Sequence, residues 1–411
     1  MTDIAKTAHI STPADKTAFD TTGVITVSAA HGVHDTYSGF LAPLLPILIE
    51  NLALTKTAAA LLSVFYQVPS LIQPVIGHFG DRVNLRMLVV LGPAISAVMM
   101  SLMGVAPSYA VLILLMIVAG LSSAGLHAIG PVIAGLLSGK QLGRGMSYWM
   151  VAGELARTLS PVLVVAAVTL LTPRGLPWLM IGGIAASVVL YIRLRNVPDY
   201  RPPAGEGLPW GEALRRMRPL ILPMALVIGT RSLLFAACTI FLPTFLTEEG
   251  VAYQLAGSSL SVMQAAAVAG ALFFGVISDR LGRRRILIAL TLLGPLSVLL
   301  FLSVSGSVAV SGSVAVSGWW MVPALLLVGF TLLSTTPVLM ALVLGWASEY
   351  RSLANGIYMA LNFVLISVGT LIVGAIADRY GLRAAITTSV VVMLVGLPAA
   401  FFLPRGETKA D

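Results

Sequence analysis

The stretch HGVHDTYSGF, residues 31–40, places three ionisable side chains inside a long apolar segment. His31, His34, Asp35 and Ser38 fall within about 100° of arc on one face of an α-helix. His31 and Asp35 are four residues apart, so their side chains can hydrogen-bond directly. A carboxylate held there can bind and release a proton. We therefore predict that Asp35 and His31 couple protons to function, and that His34 lines the same cavity.

Histidine and aspartate are also ligands for metals. The spacing HxxHD offers ligand types suited to zinc or another divalent ion. The chain has no HExxH motif, however, and Cys238 is its single cysteine. Polar spacings of three and four residues also arise on any helix face. We predict neither a metal nor a cofactor, and keep a metal site and a purely structural His31–Asp35 pair as the alternatives.

Further ionisable side chains lie within other apolar segments. Glu154 and Arg157, in GELARTLSP, are three residues apart and can pair with each other. We predict that Glu154 shares in proton coupling and that Arg157 lines the cavity, with a self-neutralising structural pair as the alternative. Arg231, in IGTRSLLF, is the third of these positions. We predict that it faces the cavity and attracts anionic substrate groups, whereas a snorkelling anchor is the alternative.

Uncharged polar side chains recur at helical spacing in two other segments. Tyr66 and Gln67 belong to the first of these stripes, and Tyr358 and Asn362 belong to the second. Such groups either line a cavity or hydrogen-bond between helices. We predict that these four residues line the cavity.

The elements that position these residues must lie in a membrane. The chain has 411 residues, of which 57% are hydrophobic and only 10% charged, whereas a soluble domain carries about 25% charged residues. A helix needs about 20 apolar residues to cross a bilayer, and helices satisfy every backbone polar group internally. We predict an all-α integral membrane protein with twelve spans: 23–49, 57–79, 84–105, 108–138, 144–172, 176–195, 219–247, 254–279, 284–305, 318–347, 352–379 and 382–403.

The basic residues predict the orientation of these spans. Most of the 25 lysines and arginines fall on the side that holds both termini, and positive residues mark the cytoplasmic side. The net charge of +8 therefore reflects membrane topology, and we predict no nucleic-acid partner. The predicted units are a cytoplasmic tail, a six-helix bundle, a cytoplasmic linker, a second six-helix bundle and a cytoplasmic tail: 1–22, 23–195, 196–218, 219–403 and 404–411.

A short motif occurs once in each predicted half, between the second and third spans of that half. GHFGDRVNLR covers 77–86 and GVISDRLGRR covers 275–284, so the copies lie 198 residues apart. A duplicated six-span unit is a recognised transporter design, with the substrate site at the midplane between the halves. The motif glycines, acids and arginines are Gly77, Asp81, Arg82, Gly275, Asp279, Arg280, Gly282, Arg283 and Arg284.

The motif, the span count and the central linker together resemble the major facilitator superfamily, whose signature loop reads G-x-x-x-D-R-x-G-R-R. The second copy matches this pattern fully, whereas Asn84 and Leu85 replace the usual glycine and basic residue in the first. The resemblance implies that the motif residues latch a cytoplasmic gate. The alternative is that the arginines only anchor the topology.

The run HGVHDTYSGFLAPLLPIL resembles the first helix of the fosmidomycin-resistance branch of that superfamily, through His31, Asp35, Pro43 and Pro46. That branch carries His-Pro-Glu in the fourth span, where this chain has His127 followed by alanine and isoleucine. We predict that His127 lines the cavity. The resemblance implies a drug:proton antiporter-like protein of the bacterial inner membrane.

The chain has no Walker-type phosphate loop, so we predict a secondary transporter rather than an enzyme or an ATP-driven pump. The predicted function is proton-coupled efflux of small amphipathic or anionic molecules, including drugs, by a monomer in the lipid bilayer. Protonation of Asp35 or Glu154 would weaken acid–arginine pairing and reset the two rocking halves. The alternatives are a proton-coupled symporter importing an organic acid or metal chelate, and a membrane receptor without transport.

Overall fold

The computed structural model describes residues 18–80, 83, 85–195, 210–311, 314–346 and 351–404, and all regular structure in that part of the chain is helical. Nine stretches of the described residues are long and apolar enough to cross a membrane. One of them, Leu142–Leu194, holds two spans, because Thr172 has a left-handed backbone (φ 61°) that turns the chain. Two further spans are interrupted or short helices, so the predicted twelve-span, all-α fold is confirmed.

The first half contains six spans in chain order. Their helical segments are Thr21–Ser38 with Leu41–Leu52; Lys56–Gln67 with Val68–Ile72 and Gln73–Gly80; Arg86–Leu102 with Met103–Val105; Tyr109–Leu137; Leu142–Gly175; and Leu176–Leu179 with Met180–Leu194. The chain between this half and the next, 196–209, lies outside the described residues.

The second half repeats this layout. Its segments are Trp210–Thr239 with Leu242–Glu248; Tyr253–Leu281; Arg283–Ser311; Val314–Val328 with the π-helical turn Gly329–Leu333 and Thr335–Trp346; Arg351–Tyr380; and Leu382–Val395 with Leu397–Phe401. The helix of the seventh span begins at Trp210 and so includes residues that we assign to the linker on sequence grounds.

The first helix of each half breaks at an equivalent place. The first span is interrupted at Gly39–Phe40, and the seventh at Ile240–Phe241. Pro43 and Pro243 follow these breaks, and a proline cannot donate the i→i−4 hydrogen bond that would continue the preceding helix. Interrupted helices at corresponding positions of two repeats point to the binding region of a transporter. Asp35 and Arg231 each lie on the N-terminal side of such a break.

Apolar side chains cover the outside of the bundle as well as its core. Leu170, Trp178 and Phe402 are 80%, 71% and 75% exposed, which suits contact with lipid rather than water. Inside, helices approach closely at small residues; a Cβ on Gly183 would lie 2.1 Å from that of Ala97. Polar side chains buried within the bundle therefore stand out against an apolar background.

The two ends of the bundle are distinguished by the connections they carry. We call the end that carries the connections between spans 1 and 2 and between spans 11 and 12 the distal end. The opposite end, where the described chain begins at residue 18 and ends at residue 404, is the proximal end. Near the distal end the halves are in contact at two glycines of the second half. A Cβ added to Gly257 would lie 2.4 Å from Val165 of the first half, and one added to Gly374 would lie 3.0 Å from Ala60.

Candidate functional site

Asp35 lies at the centre of a polar cluster in the first half. It is 3% exposed. His31 Nε2 is 3.3 Å from Asp35 Oδ2, and His127 Nε2 is 3.5 Å from Oδ1. Arg157 Nη1 is 3.6 Å from Oδ2. We call these residues, together with Glu154, the Asp35 cluster; they come from the first, fourth and fifth spans and were all among the predicted site residues.

The fifth span holds His31 in place. The His31 ring stacks on Trp149 with centroids 3.8 Å apart and planes 5° from parallel, and His31 Nδ1 is 3.0 Å from the Trp149 carbonyl oxygen. Gly153, one turn further along, leaves room for this ring: a Cβ there would lie 2.6 Å from His31 Cε1 and 3.1 Å from Asp35 Oδ2. Trp149 and Gly153 therefore shape the site.

The hydrogen-bond partners fix the tautomers of both imidazoles. A carbonyl oxygen only accepts, so His31 Nδ1 donates to Trp149, and His127 Nδ1 donates to the Ser123 carbonyl at 2.9 Å. In a neutral ring the opposite nitrogen then carries a lone pair. Those two Nε2 atoms are 3.3 Å apart and both face the Asp35 carboxylate. Three acceptors thus converge, and they can hydrogen-bond to one another only through added protons.

A small divalent cation also fits these distances, since the ligand atoms of His31, Asp35 and His127 lie within 4.8 Å of one another. Each imidazole is oriented by a carbonyl, as metal-bound imidazoles usually are. However, the guanidinium of Arg157 lies 3.6 Å from the same carboxylate and repels a second cation there. The donor set therefore suits protons better than a metal.

Arg157 contacts two carboxylates at once. Its Nη2 donates to Glu154 Oε1, one turn earlier on the same helix, while Nη1 faces Asp35. The side chains of Arg157 and Glu154 are 44% and 38% exposed, in contrast to 5% for Asp35. Arg157 therefore links a buried acid to a more exposed one, in addition to forming the pair with Glu154 that we kept as the alternative on sequence grounds.

His34 takes its hydrogen bonds outside this cluster, although its ring meets the His127 ring edge-on with centroids 5.6 Å apart. It is fully buried, and its Nδ1 lies 3.0 Å from Ser96 Oγ and 3.3 Å from the Gly92 carbonyl oxygen of the third span. Its Nε2 has no hydrogen-bond partner among the described residues. His34 therefore lies beside the Asp35 cluster, against the His127 ring, but is hydrogen-bonded to the third span.

Arg231 lies near the position in the second half that corresponds to Asp35. It is 1% exposed, and its Nη2 donates to Thr336 Oγ1 in the tenth span at 2.5 Å. The guanidinium carbon lies 4.7 Å from the Phe235 ring centroid. Nε and Nη1 have no hydrogen-bond partner, and Arg231 forms no ion pair within the described part of the chain. A buried, uncompensated cation is costly, so an anion would stabilise it strongly.

The predicted uncharged residues divide between the two sites. The Tyr66 side chain neighbours Ser38 and Ser123 beside the Asp35 cluster, and Gln67 Nε2 donates to Ser63 Oγ at 2.8 Å. In the second half, the Tyr358 hydroxyl is buried and lies 3.4 Å from the Thr336 carbonyl oxygen. The side-chain oxygen of Asn362 is buried and has no hydrogen-bond partner among the residues that the structure describes.

The second copy of the repeated motif forms a compact turn at the proximal end. Gly282 has φ 93°, a conformation that favours glycine. Arg283 bonds to Asp279 at 3.1 Å and donates to the Ala341 carbonyl at 2.7 Å. Gly275 lies one turn before Asp279; Arg280 is exposed and Arg284 half-buried. In the first copy, Gly77 lies within Gln73–Gly80, the last helix of the second span, whereas Asp81 and Arg82 lie outside the described residues.

A third copy of this motif was missed by the sequence reasoning, although the letters show it. GAIADRYGLR, 374–383, repeats G-x-x-x-D-R-x-G-x-R at the connection between spans 11 and 12. Gly381 has φ 84°, close to the value of Gly282. Three spans separate the second and third copies, so they lie at opposite ends of the bundle.

Comparisons with known proteins agree with this architecture. The sequence profile described as Major Facilitator Superfamily matches residues 27–315 and 240–411. The fosmidomycin resistance protein of Escherichia coli (strain K12) is 21% identical over 412 residues, covering 98% of this chain and 97% of that protein. The uncharacterized MFS-type transporter YfnC of Bacillus subtilis (strain 168) is 22% identical and covers 93% of each chain.

Solved structures share the fold at lower identity. A bacterial homolog of the human lysosomal transporter Spinster, in an inward-facing and unoccupied conformation, has a TM-score of 0.74 at 15% identity, with 95% of this chain and 98% of that one covered. A point mutant of the nucleoside transporter NupG has a TM-score of 0.70 at 14% identity, with coverages of 92% and 97%.

Proposed function

Because the chain belongs to the major facilitator superfamily and is therefore a multi-pass membrane transporter rather than an enzyme, we propose that it exports small amphipathic or anionic molecules in exchange for protons. The proposal has two parts. The Asp35 cluster binds the coupling proton, and Arg231 receives the anionic part of the substrate. The halves then alternate access to these sites by rocking against each other.

The convergence of three acceptors in the Asp35 cluster carries the proton part. His31 and His127 turn their Nε2 atoms to the same carboxylate, and both Nδ1 atoms are already engaged as donors. Without protons, three lone-pair-bearing groups would face one another in an apolar interior, which is unfavourable. With protons, the same contacts become hydrogen bonds. Proton binding thus changes the stability of this arrangement of spans 1, 4 and 5.

Arg157 supplies a means of linking that change to the cavity. When Asp35 is deprotonated, its charge attracts the guanidinium at 3.6 Å. When a proton neutralises Asp35, that attraction falls and Glu154 becomes the main partner of Arg157. We propose that this exchange moves the fifth span relative to the first during the transport cycle.

Arg231 supports an anionic group as the part of the substrate that is recognised. Two of its nitrogens have no hydrogen-bond partner in the described ranges of the chain, and a guanidinium can bind a carboxylate or phosphonate through two parallel hydrogen bonds. In the present conformation Arg231 is shut off from solvent, so binding requires the neighbouring spans 10 and 11 to move. The substrate class then follows from charge: one oxyanion attached to an apolar body.

Sidedness and direction complete the proposal. The excess of lysine and arginine at the proximal end supports a cytoplasmic location for that end and for both termini. Export is supported by the name of one relative, a resistance protein. The runner-up is proton-coupled import of an organic acid or metal chelate through the same residues. Accumulation of labelled substrate by energised cells would favour import, whereas energy-dependent depletion would favour export.

Proteoliposomes with an imposed pH gradient test the proton part. Fosmidomycin, taken from the name of the relative, is the first compound, followed by a panel of amphipathic carboxylates and phosphonates. We expect gradient-driven flux in the wild type and its loss in Asp35→Asn. Glu50→Gln is the matched control, because Glu50 is an exposed carboxylate on the same span. Full gradient-driven flux in Asp35→Asn would refute the assignment of Asp35 as the coupling residue.

A further inference from the structure

The third motif copy places an acid where it joins the two halves. Asp378 lies in the last turn of Arg351–Tyr380, in the second half, whereas Lys56 and Thr57 open the helix Lys56–Gln67 of the first half. Asp378 Oδ1 accepts from Lys56 N at 2.5 Å. Its Oδ2 accepts from Thr57 N at 2.9 Å and from Thr57 Oγ1 at 2.6 Å.

Through these bonds, Asp378 of the second half accepts from the first backbone amides of a helix in the first half. The first amides of a helix have no partner within it, and the positive end of the helix dipole favours a carboxylate. The next amide, that of Ala58, is taken by Thr55 Oγ1 at 3.0 Å. Asp378 therefore supplies the part of the N-terminal cap that the first half does not provide for itself.

The helices that carry Asp378 and Lys56 approach each other closely at this contact. Gly374 lies one turn before Asp378 on the same helix face, and a Cβ there would lie 2.9 Å from the Lys56 carbonyl oxygen and 3.0 Å from Thr57 Cα. A glycine at this position allows the two helices to approach closely enough for the carboxylate to reach the amides. This supplies a physical reason for the first glycine of the motif.

A second ion pair strengthens the same junction. Lys56 Nζ is 2.6 Å from Glu248 Oε1, at the end of Leu242–Glu248 in the second half. The adjacent Glu249 accepts two bonds from Arg383, at 3.1 and 2.9 Å. Arg383 is the last residue of the third motif copy, so the motif also fixes the position of the helix end that pairs with Lys56.

We propose that Asp378, Lys56 and Glu248 form a distal latch, which holds the halves together at this end and must open whenever the cavity opens there. Alternating access requires the halves to separate at one end while they close at the other. All the polar contacts of the latch join opposite halves, so each is lost in a distally open state. The third motif copy thereby acts at the distal end, opposite the two copies that the family resemblance assigns to gating.

Distance measurements between the halves test the latch. Asn51 and Gln254 are exposed at the distal end of the first and second halves. Spin labels at Asn51→Cys and Gln254→Cys, in a Cys238→Ala background in lipid nanodiscs, report the separation by double electron–electron resonance. We expect Asp378→Asn to raise the population of long distances at least threefold, with smaller increases for Thr57→Val and Glu248→Gln.

Asp279→Asn is the matched control, because Asp279 holds the same motif position at the opposite end. It should not increase the distal separation. An unchanged distribution in both Asp378→Asn and Asp378→Ala would overturn the latch, and so would an equal increase in Asp279→Asn. If the Asp378 variants do not fold, Thr57→Val and Glu248→Gln decide in the same way. The test requires no substrate and no proton gradient, so it is independent of the proposed function.

Discussion

The two halves carry buried charges of opposite sign at neighbouring, though not identical, positions of their first spans. In the first half, Asp35 is surrounded by two imidazoles and a guanidinium. In the second half, Arg231 donates to the hydroxyl of Thr336, packs against the Phe235 ring and lies near the side chain of Tyr358. The charge of Asp35 is compensated by neighbouring side chains, whereas Arg231 has no counter-ion among the described residues. We propose from this comparison that the duplicated scaffold separates two tasks, with ion binding in the first half and substrate binding in the second.

The difference arises from few residues on matching helices. His127 of the fourth span approaches Asp35, whereas Thr336 of the tenth span approaches Arg231. The fourth is one continuous helix, Tyr109–Leu137, but a π-helical turn precedes Thr336 in the tenth. Such turns are common at functional sites. If the comparison is correct, giving Arg231 a carboxylate of its own should remove the need for an external anion.

The largest effect is therefore expected from Thr336→Asp. A carboxylate at this position would pair with Arg231 and compete with the substrate anion. We expect at least about 100-fold lower flux of anionic substrates, because the strongest charged contact available to them is lost. Thr336→Asn keeps a neutral acceptor of similar size and should reduce flux only a few-fold. Flux in proteoliposomes measures both; equal losses in the two variants would break the proposed division of work.

A large but smaller effect is expected when an imidazole is removed from the first half. His127→Gln leaves Asp35 with His31 as its remaining imidazole and should lower gradient-driven flux about tenfold or more. Downhill flux without a gradient should change less. Proton release from purified protein on substrate addition, followed with a pH indicator in unbuffered solution, should fall in parallel. Unaltered proton release would place His127 outside the coupling site.

Much of this arrangement can be predicted from the sequence. Composition and the lengths of the apolar segments predict the twelve spans, and the rarity of charges within them identifies Asp35, Glu154, Arg157 and Arg231. The twelve spans are confirmed, and the four charged residues stay predicted site residues. A charge in a bilayer interior is costly, which makes each instance informative.

Other parts could not be derived in this way. Helical spacing puts His34 beside His31 and Asp35, but helix packing turns it to the third span, where it meets Ser96. The roles of Trp149 and Gly153 depend on the approach of the fifth span, and such residue types are common in any apolar helix. The contact between Asp378 and Thr57 joins residues more than 300 positions apart, and single-sequence periodicity does not report pairings between helices.

A moderate effect on stability should distinguish the tightly built site from its surroundings. Gly153→Ala would push a methyl group against His31 and Asp35, and overpacking of this kind costs about 1–3 kcal/mol. Gly143→Ala, on the same helix, meets nothing within 4 Å and should be neutral or slightly stabilising. Thermal unfolding in detergent should give a lower Tm for the first variant only. A similar Tm for both would mean that the Asp35 cluster is loosely packed.

The smallest effect is expected from Glu154→Gln. The Glu154–Arg157 pair is more than one-third exposed on both side chains, and ion pairs of this kind contribute about 0–1 kcal/mol. Removing the accessible acid leaves Asp35 as the only carboxylate of the cluster that faces Arg157. Transport should therefore slow by no more than about fivefold, while proton release persists. Because the exchange of Arg157 between two acids would be lost, the remaining flux should also depend less on the pH gradient; flux measured at several imposed gradients tests this, and an unchanged dependence would exclude the exchange.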